Sequence, residues 1–178
     1  SRLRLVRLAA MDQLDRTVLL EKHLISPNLV KNPAHRGVVL RDDESVAIMI
    51  NEEDHLRIQT MLSGLQLDKA WELADKYDDY LEGTLDYAFD ENRGYLTACP
   101  PNVGTGLRVS VMVHLPALGM VDQVKKVLAA LTHVGLNVRG VYGEGTESIG
   151  NLYQISNQVT LGHSEEDLVG KVVSLTRQ

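Results

Sequence analysis

Val46-Ala47-Ile48-Met49-Ile50-Asn51-Glu52-Glu53-Asp54-His55-Leu56-Arg57-Ile58-Gln59-Thr60-Met61 is the stretch whose reading decides the fold. Val46 to Ile50 is a short apolar run rich in branched side chains. After it, Leu56, Ile58 and Thr60 alternate with Arg57, Gln59 and Met61, the two-residue period of a strand. A buried strand that breaks into three consecutive acids and then resumes brings carboxylates, an imidazole and a guanidinium to the lip of a core. The ordinary reading of an acidic triplet is a solvated turn, because most loop residues connect rather than act. Against it, the apex carries no Gly, Pro or Asn-Gly pair.

Working outward, Val38–Arg41 and Ser45–Asn51 flank Asp42-Asp43-Glu44 as the arms of a hairpin whose second arm delivers the acids. Met11–Leu24 has helical spacing and Asp12 to cap it, and Ser1–Arg7 alternates as a strand does. Asn32–Gly37 reads as a loop. Leu65–Leu81 is an amphipathic helix with Leu67, Ala70, Trp71, Ala74 and Tyr77 on one stripe; its acids Asp68, Glu72, Asp75, Asp78 and Asp79 read as a solvated face, and Gly83 ends it. Tyr87–Phe89 and Tyr95–Ala98 read as short strands about a turn at Asp90–Gly94. Leu107–Leu115 reads as a strand, Pro116–Val134 as a helix closed by Gly135, Leu136–Val141 and Asn151–Thr160 as extended segments, and Ser164–Thr176 as a helix capped by Ser164. Hairpins mixed with helices, without strict strand-helix alternation, predict an α+β domain with a mainly antiparallel sheet flanked by helices.

The 178 residues are 44% hydrophobic and 24% charged, ordinary for a globular domain with an ample core. A formal net charge of −6 argues against a general nucleic-acid or anionic-membrane binder, so a polyanion site here would be a local cluster of arginines. One cysteine excludes an internal disulfide framework, and no N-terminal apolar segment reads as a signal or membrane span. The expectation is a cytoplasmic protein.

Asn51-Glu52-Glu53-Asp54-His55 resembles the N-E-E-D-H signature of the ATP:guanidino phosphotransferases, or phosphagen kinases. Cys99-Pro100-Pro101-Asn102-Val103-Gly104-Thr105 resembles that family's C-P-[S/T]-N-[L/V]-G-T word and is followed by Arg108, where the family has a phosphate-binding arginine. Arg139–Glu147 resembles its specificity loop, and Leu19–Pro27 is closest to the bacterial protein arginine kinase branch. Nearly the whole chain is covered. Ser1–Arg4 is only superficially like the family's N-terminal S-[ST]-R-[IV]-R word. Counting back from Leu19–Pro27, this segment matches a later one ending in L-V-R, as Leu5-Val6-Arg7 does. The expectation is therefore a C-terminal-type catalytic domain over residues 1–178, truncated at both ends and lacking two phosphate-binding arginines.

The resemblance implies the glutamine synthetase-like guanidino kinase fold, and transfer of the ATP γ-phosphoryl group, with Mg²⁺, to the guanidinium of arginines in proteins. Arg57, Arg108 and Arg139 match phosphate-binding arginines, and a guanidinium offers a permanent charge and a planar fork of donors to phosphate. Glu53 and Glu144 match the two carboxylates that grip the acceptor guanidinium and take its proton. An acceptor with a pKa above about 12 needs such polarisation. Because successive strand residues face opposite sides, Glu52 and Glu53 are not both expected at the substrate. His23 matches an imidazole that packs on adenine; on residues alone a histidine at a helix C-terminus is equally ordinary. Cys99 matches a sulfur that contacts the guanidinium, but Pro101 replaces the usual hydroxyl residue and has neither hydroxyl nor N–H to give it, which leaves an inert half-core cysteine as the other reading. No resident metal site is expected.

Tyr142 stands where small-guanidine kinases usually have an arginine, which favours a protein acceptor. The same branch implies a role in bacterial stress control, with a Clp ATPase and protease downstream and a small zinc-containing activator as partner. Two alternatives stay open: a phosphagen kinase for free arginine or another small guanidine, and a non-catalytic nucleotide- or arginine-binding module.

Overall fold

The computed structural model describes residues 2–121, 123–140 and 149–178. These fall into two compact units, Ser1–Tyr87 and Ala88–Gln178. In the first, β1 (Leu3–Arg7), β2 (Gly37–Arg41), β3 (Val46–Ile50) and β4 (Leu56–Thr60) form an antiparallel sheet in sequential order. The β2–β3 register pairs Val38 with Met49 and Leu40 with Ala47, so these four side chains share one face. Helices α1 (Gln13–Glu21) and α2 (Pro27–Lys31) cover that face with Leu19, Leu24, Ile25 and Leu29, which join them in one buried cluster. Helix α3 (Leu67–Glu82) packs against β4, and the Thr60 hydroxyl donates to the Ala70 carbonyl at 2.8 Å. Thr60 pairs with Val46, on the other face, so β3 is covered from both sides. This explains why its apolar run is unbroken rather than alternating: Val46, Ala47, Ile48 and Met49 are all buried.

Local chemistry fixes the helix ends. The Asp12 carboxylate accepts the Asp15 N–H at the start of α1, as its sequence predicts. At the far end the His23 N–H donates to Leu20 and the Leu24 N–H to Leu19, with Leu19 and Leu24 both in the core. That is a Schellman closure with histidine, at φ +58°, in the place glycine usually takes. Helix α2 is an element for which the sequence reading has no counterpart, although the loop after it begins at Asn32 as expected. Ser26 caps it and Pro27 opens it, a start signal that suffices for five residues. Gly83 does end α3, although its own φ of −62° is right-handed and requires no glycine.

The second unit holds a two-stranded hairpin, β5 (Phe89–Asp90) with β6 (Gly94–Tyr95), and a three-stranded antiparallel sheet in the order β7 (Ser110–His114), β9 (Leu152–Asn157), β8 (Leu136–Gly140). Helices α4 (Pro116–Met120) and α5 (Val124–His133) lie between β7 and β8 in sequence, and α6 (Glu165–Arg177) follows β9. The single helix expected over Pro116–Val134 is thus two. Gly119, in the last turn of α4, leaves room for Asn151: a Cβ there would meet its side-chain oxygen at 2.5 Å, and glycine is also a weak helix former. Register puts Val111, Ile155 and Val138 on one face, and Ser110, Met112, Gln154, Ser156, Asn137 and Arg139 on the other. The first face is apolar and has α5 and α6 packed near it, with Leu136, Leu168, Val169 and Val172 buried; the second is polar. Every strand pairing among the described residues is antiparallel, and the α+β class read from the sequence holds. No helix among them is long and apolar enough to cross a membrane.

Candidate functional site

In the first unit the three acids occupy a five-residue loop between β3 and β4 rather than a continued strand. Asn51 makes the turn. It holds φ +57°, donates its N–H to the His55 carbonyl at 3.0 Å, and anchors its side chain on the His35 carbonyl at 2.9 Å. The turn chemistry that the sequence reading found missing is thus supplied by asparagine alone, which tolerates the left-handed region. The loop sends its two glutamates to different places. Glu53 is exposed, whereas the Glu52 side chain is 4% exposed and turned inward.

Glu52 is held at both oxygens. Oε1 accepts the Ser26 hydroxyl at 2.6 Å and Oε2 the Glu53 N–H at 2.7 Å, while Arg57 Nη1 lies 3.9 Å from Oε2. Burial alone would raise this carboxyl. The Ser26 hydroxyl, the Glu53 N–H, Arg57 and the Asn28 side chain outweigh it, and the group sits below the ordinary carboxylate value. Glu52 is therefore a brace: it ties the first residue of α2's cap to the backbone of Glu53. Arg57, half exposed on the edge strand, pairs with Met49 and so lies on the α1–α2 face. Gln59, two residues on, donates to the His23 carbonyl. Gln59 thus ties the His23 turn to β4, and Glu52 lies between the Ser26 hydroxyl and the Arg57 guanidinium.

In the second unit Cys99 precedes a 3₁₀ turn over Pro100–Asn102 and is half buried. Its carbonyl accepts from the Thr97 hydroxyl at 2.7 Å and the Asn102 N–H at 2.9 Å. Thr160 staples the far side of the loop, its hydroxyl 2.8 Å from the Pro101 carbonyl and 2.7 Å from that of Val103. Gly104 has φ +114°, and a Cβ there would fall 2.5 Å from the Thr160 carbonyl, so only glycine allows this approach. Arg108 is exposed, just before buried Val109; strand alternation carried back from Ser110 places it on the polar face that also bears Arg139. Strand β7 begins three residues later than expected, because the Asn157 side chain, not a regular ladder, takes the Val109 N–H at 2.7 Å. Asn157 and Thr160 were not singled out from sequence; both act on segments some fifty residues away, and no local pattern marks them. Glu144, Tyr142 and most of the specificity-loop wording lie outside the described residues. Among those described, no group of three or more His, Cys, Asp or Glu side chains could hold a metal ion.

The sequence profile of the ATP:guanido phosphotransferase C-terminal catalytic domain matches residues 1–178. The chain belongs to the ATP:guanido phosphotransferase family. Among curated members, a protein-arginine kinase of Desulforamulus reducens is 56% identical over 176 residues, which is 99% of this chain and 49% of that protein. One of Halalkalibacterium halodurans is 61% identical over 165 residues, 90% of this chain and 46% of the relative. The chain thus spans about half the length of the curated relatives it matches. Solved guanidino kinases share the fold. The duplicated taurocyamine kinase of Schistosoma mansoni with bound transition-state-analogue components superposes with a TM-score of 0.82 at 30% identity, covering 98% of this chain and 25% of that one. A lombricine kinase does so at 0.80 and 27%, covering 98% and 52%.

Proposed function

We propose that this chain is the phosphoryl-transfer portion of a protein arginine kinase. The observation that carries the reading is the contrast in identity: 51–61% to curated protein-arginine kinases, against 27–31% to solved kinases of small guanidines on the same fold. The reaction breaks the bond between the γ-phosphorus of ATP and its bridging oxygen, forms a P–N bond to an arginine guanidinium, and releases ADP and one proton. Such transfer needs alignment of donor and acceptor and neutralisation of charge on the phosphate oxygens, not covalent help from the protein.

The site residues fall into these roles. Arg57, Arg108 and Arg139 bind phosphate oxygens through charge-assisted bonds. Mg²⁺ enters as part of the Mg·ATP substrate, as suits a cation that prefers phosphate and water ligands. Glu53, exposed at the turn, grips the acceptor guanidinium and receives its proton, with Glu144 as the second carboxylate. Glu52 is excluded from that role by its inward bonds to Ser26 and the Glu53 N–H, which instead orient its neighbour. His23 offers its ring to adenine from a backbone locked by the Schellman closure. Cys99 lies against the guanidinium, with its loop held by Thr160 rather than by a hydroxyl at position 101.

In the same reading the protein acts in the cytoplasm, phosphoarginine marks proteins for Clp-dependent proteolysis in stress, and a zinc-containing activator regulates the enzyme. Parallel assays of the full-length protein with Mg·ATP test the acceptor. A folded acceptor protein is expected to be phosphorylated with a kcat/KM at least tenfold above that for free arginine. Preference for free arginine, taurocyamine or lombricine would reassign the chain to the small-guanidine kinases, the second reading that its structural neighbours favour.

A further inference from the structure

Arg108 is exposed, yet the backbone on both sides of it is tied to one buried side chain. Asn157, 5% exposed at the end of β9, accepts the Val109 N–H through Oδ1 at 2.7 Å and donates through Nδ2 to the Leu107 carbonyl at 3.0 Å and the Val159 carbonyl at 3.0 Å. Its own N–H donates to the Val109 carbonyl at 3.2 Å. Both amide hydrogens and the amide oxygen are used, and the partners fix which end of the amide is which: one N–H needs an acceptor and two carbonyls need donors. On the near side, the Leu107 N–H donates to the Thr105 hydroxyl oxygen at 3.2 Å. Leu107, Arg108 and Val109 are therefore held at each peptide flanking the arginine, although Arg108 precedes the paired residues of β7.

A surface arginine on an unpaired segment would lose conformational entropy on gripping phosphate; one on a segment already fixed loses only that of its side chain. We propose that Asn157 is the positioning residue for Arg108, holding the Leu107–Val109 backbone so that the guanidinium is pre-aimed from the polar face of the sheet at a nucleotide phosphate. Asparagine is the residue this task requires. Aspartate would set a second acceptor against the Leu107 and Val159 carbonyls, and alanine would take the partner from the buried Val109 N–H and from two part-buried carbonyls. The inference rests on the reading of Arg108 as phosphate-binding, and the experiment separates the two.

ATP affinity is measured by calorimetry on the full-length protein and its Asn157→Asp, Asn157→Ala and Arg108→Ala variants, and on the double variants carrying Arg108→Ala. Circular dichroism and thermal melting report folding. Arg108→Ala is expected to weaken ATP by about 10- to 100-fold, the range of a lost charge-assisted contact, and each Asn157 variant by about tenfold. On the Arg108→Ala background the Asn157 substitutions should add no more than about twofold, because what they misplace is already gone. Wild-type affinity in a folded Asn157 variant overturns the proposal, as does a full tenfold loss on the Arg108→Ala background. Failure of both variants to fold would make Asn157 a purely structural residue and overturn it equally. An Arg108→Ala protein that binds ATP normally would remove the phosphate reading of Arg108, and the positioning role with it. A damaging Arg108→Ala beside silent Asn157 variants removes the positioning role alone.

Discussion

Ser26→Ala removes one oxygen that serves two partners. The hydroxyl donates to the inward Glu52 carboxylate at 2.6 Å and accepts the Leu29 N–H at 3.3 Å as the cap of α2. A hydrogen bond to an ionised group contributes about 1.5–3 kcal/mol, and losing a serine cap costs about 1 kcal/mol. The cap bond is long and the two losses share an atom, so they do not add; we expect a destabilisation of about 2 kcal/mol at neutral pH. For a chain of this size that corresponds to a melting point roughly 4–8 °C lower. The pH dependence is the sharper test. Glu52 is held below its ordinary value, so the stability it contributes is fully present above the unfolded-state value and disappears as pH falls through the lowered folded-state one. Taking away the leading stabilising partner leaves burial to push the carboxyl upward, and the variant should begin to lose Glu52's contribution at a higher pH than the parent. Well below the carboxylate range, with Glu52 protonated in both proteins, the gap should narrow to about the cap contribution. Ser26→Thr keeps hydroxyl and cap and should lie within about 0.5 kcal/mol of the parent. Urea unfolding of parent, Ser26→Ala and Ser26→Thr across pH 3–8 reads all of this. A Ser26→Ala protein as stable as its parent at neutral pH, or a gap independent of pH, would refute the Ser26–Glu52 brace.

Glu53→Gln should lower turnover by about 10²–10⁴ while leaving ATP affinity nearly unchanged, because it keeps the shape and removes the proton acceptor; near-normal turnover would take Glu53 out of catalysis. Asp78 is the acid of α3 that is not simply solvated. Burial, and with it the nearby charges of Glu82, Asp75 and Asp79, raise its carboxyl against the opposing effect of the Tyr87 hydroxyl. A raised acid costs stability as pH rises from the unfolded-state value through the folded-state one, so Asp78→Asn should melt higher at neutral pH, with the gain vanishing in acid where both side chains are neutral. A variant that melts lower than its parent at neutral pH would show that the carboxylate charge is wanted there.

The sequence made the sheet around β3 legible because its signal is local: five apolar residues, a polar break, and an alternating strand whose register the turn then fixes. The capped starts of α1 and α6 and the glycine after α5 were legible for the same reason. Helix α2 escaped notice because five residues carry no periodicity, only the Ser-Pro start. The end of α4 carries no such local signal, and the reason for glycine at position 119, the approach of Asn151, lies thirty-two residues along the chain. At the site, strand alternation was the wrong ground for separating Glu52 from Glu53, because both lie in the β3–β4 loop; it is the Ser26 hydroxyl and the Glu53 N–H that turn Glu52 inward while Glu53 stays exposed. What holds these residues in place was not legible: Ser26 under Glu52, Asn157 around Arg108 and Thr160 behind Cys99 are single polar side chains whose partners lie 26 to 59 residues away.

The most direct test of the account is site-resolved mass spectrometry of a folded acceptor protein after incubation with the full-length protein and Mg·ATP, under conditions that keep the acid-labile P–N bond. Phosphate on arginine side chains, reduced by about 10²-fold or more with Glu53→Gln and lost on mild acid treatment, is the predicted result. Acid-stable phosphate on serine, threonine or tyrosine, or ATP consumed only when a small guanidine is supplied, would contradict it.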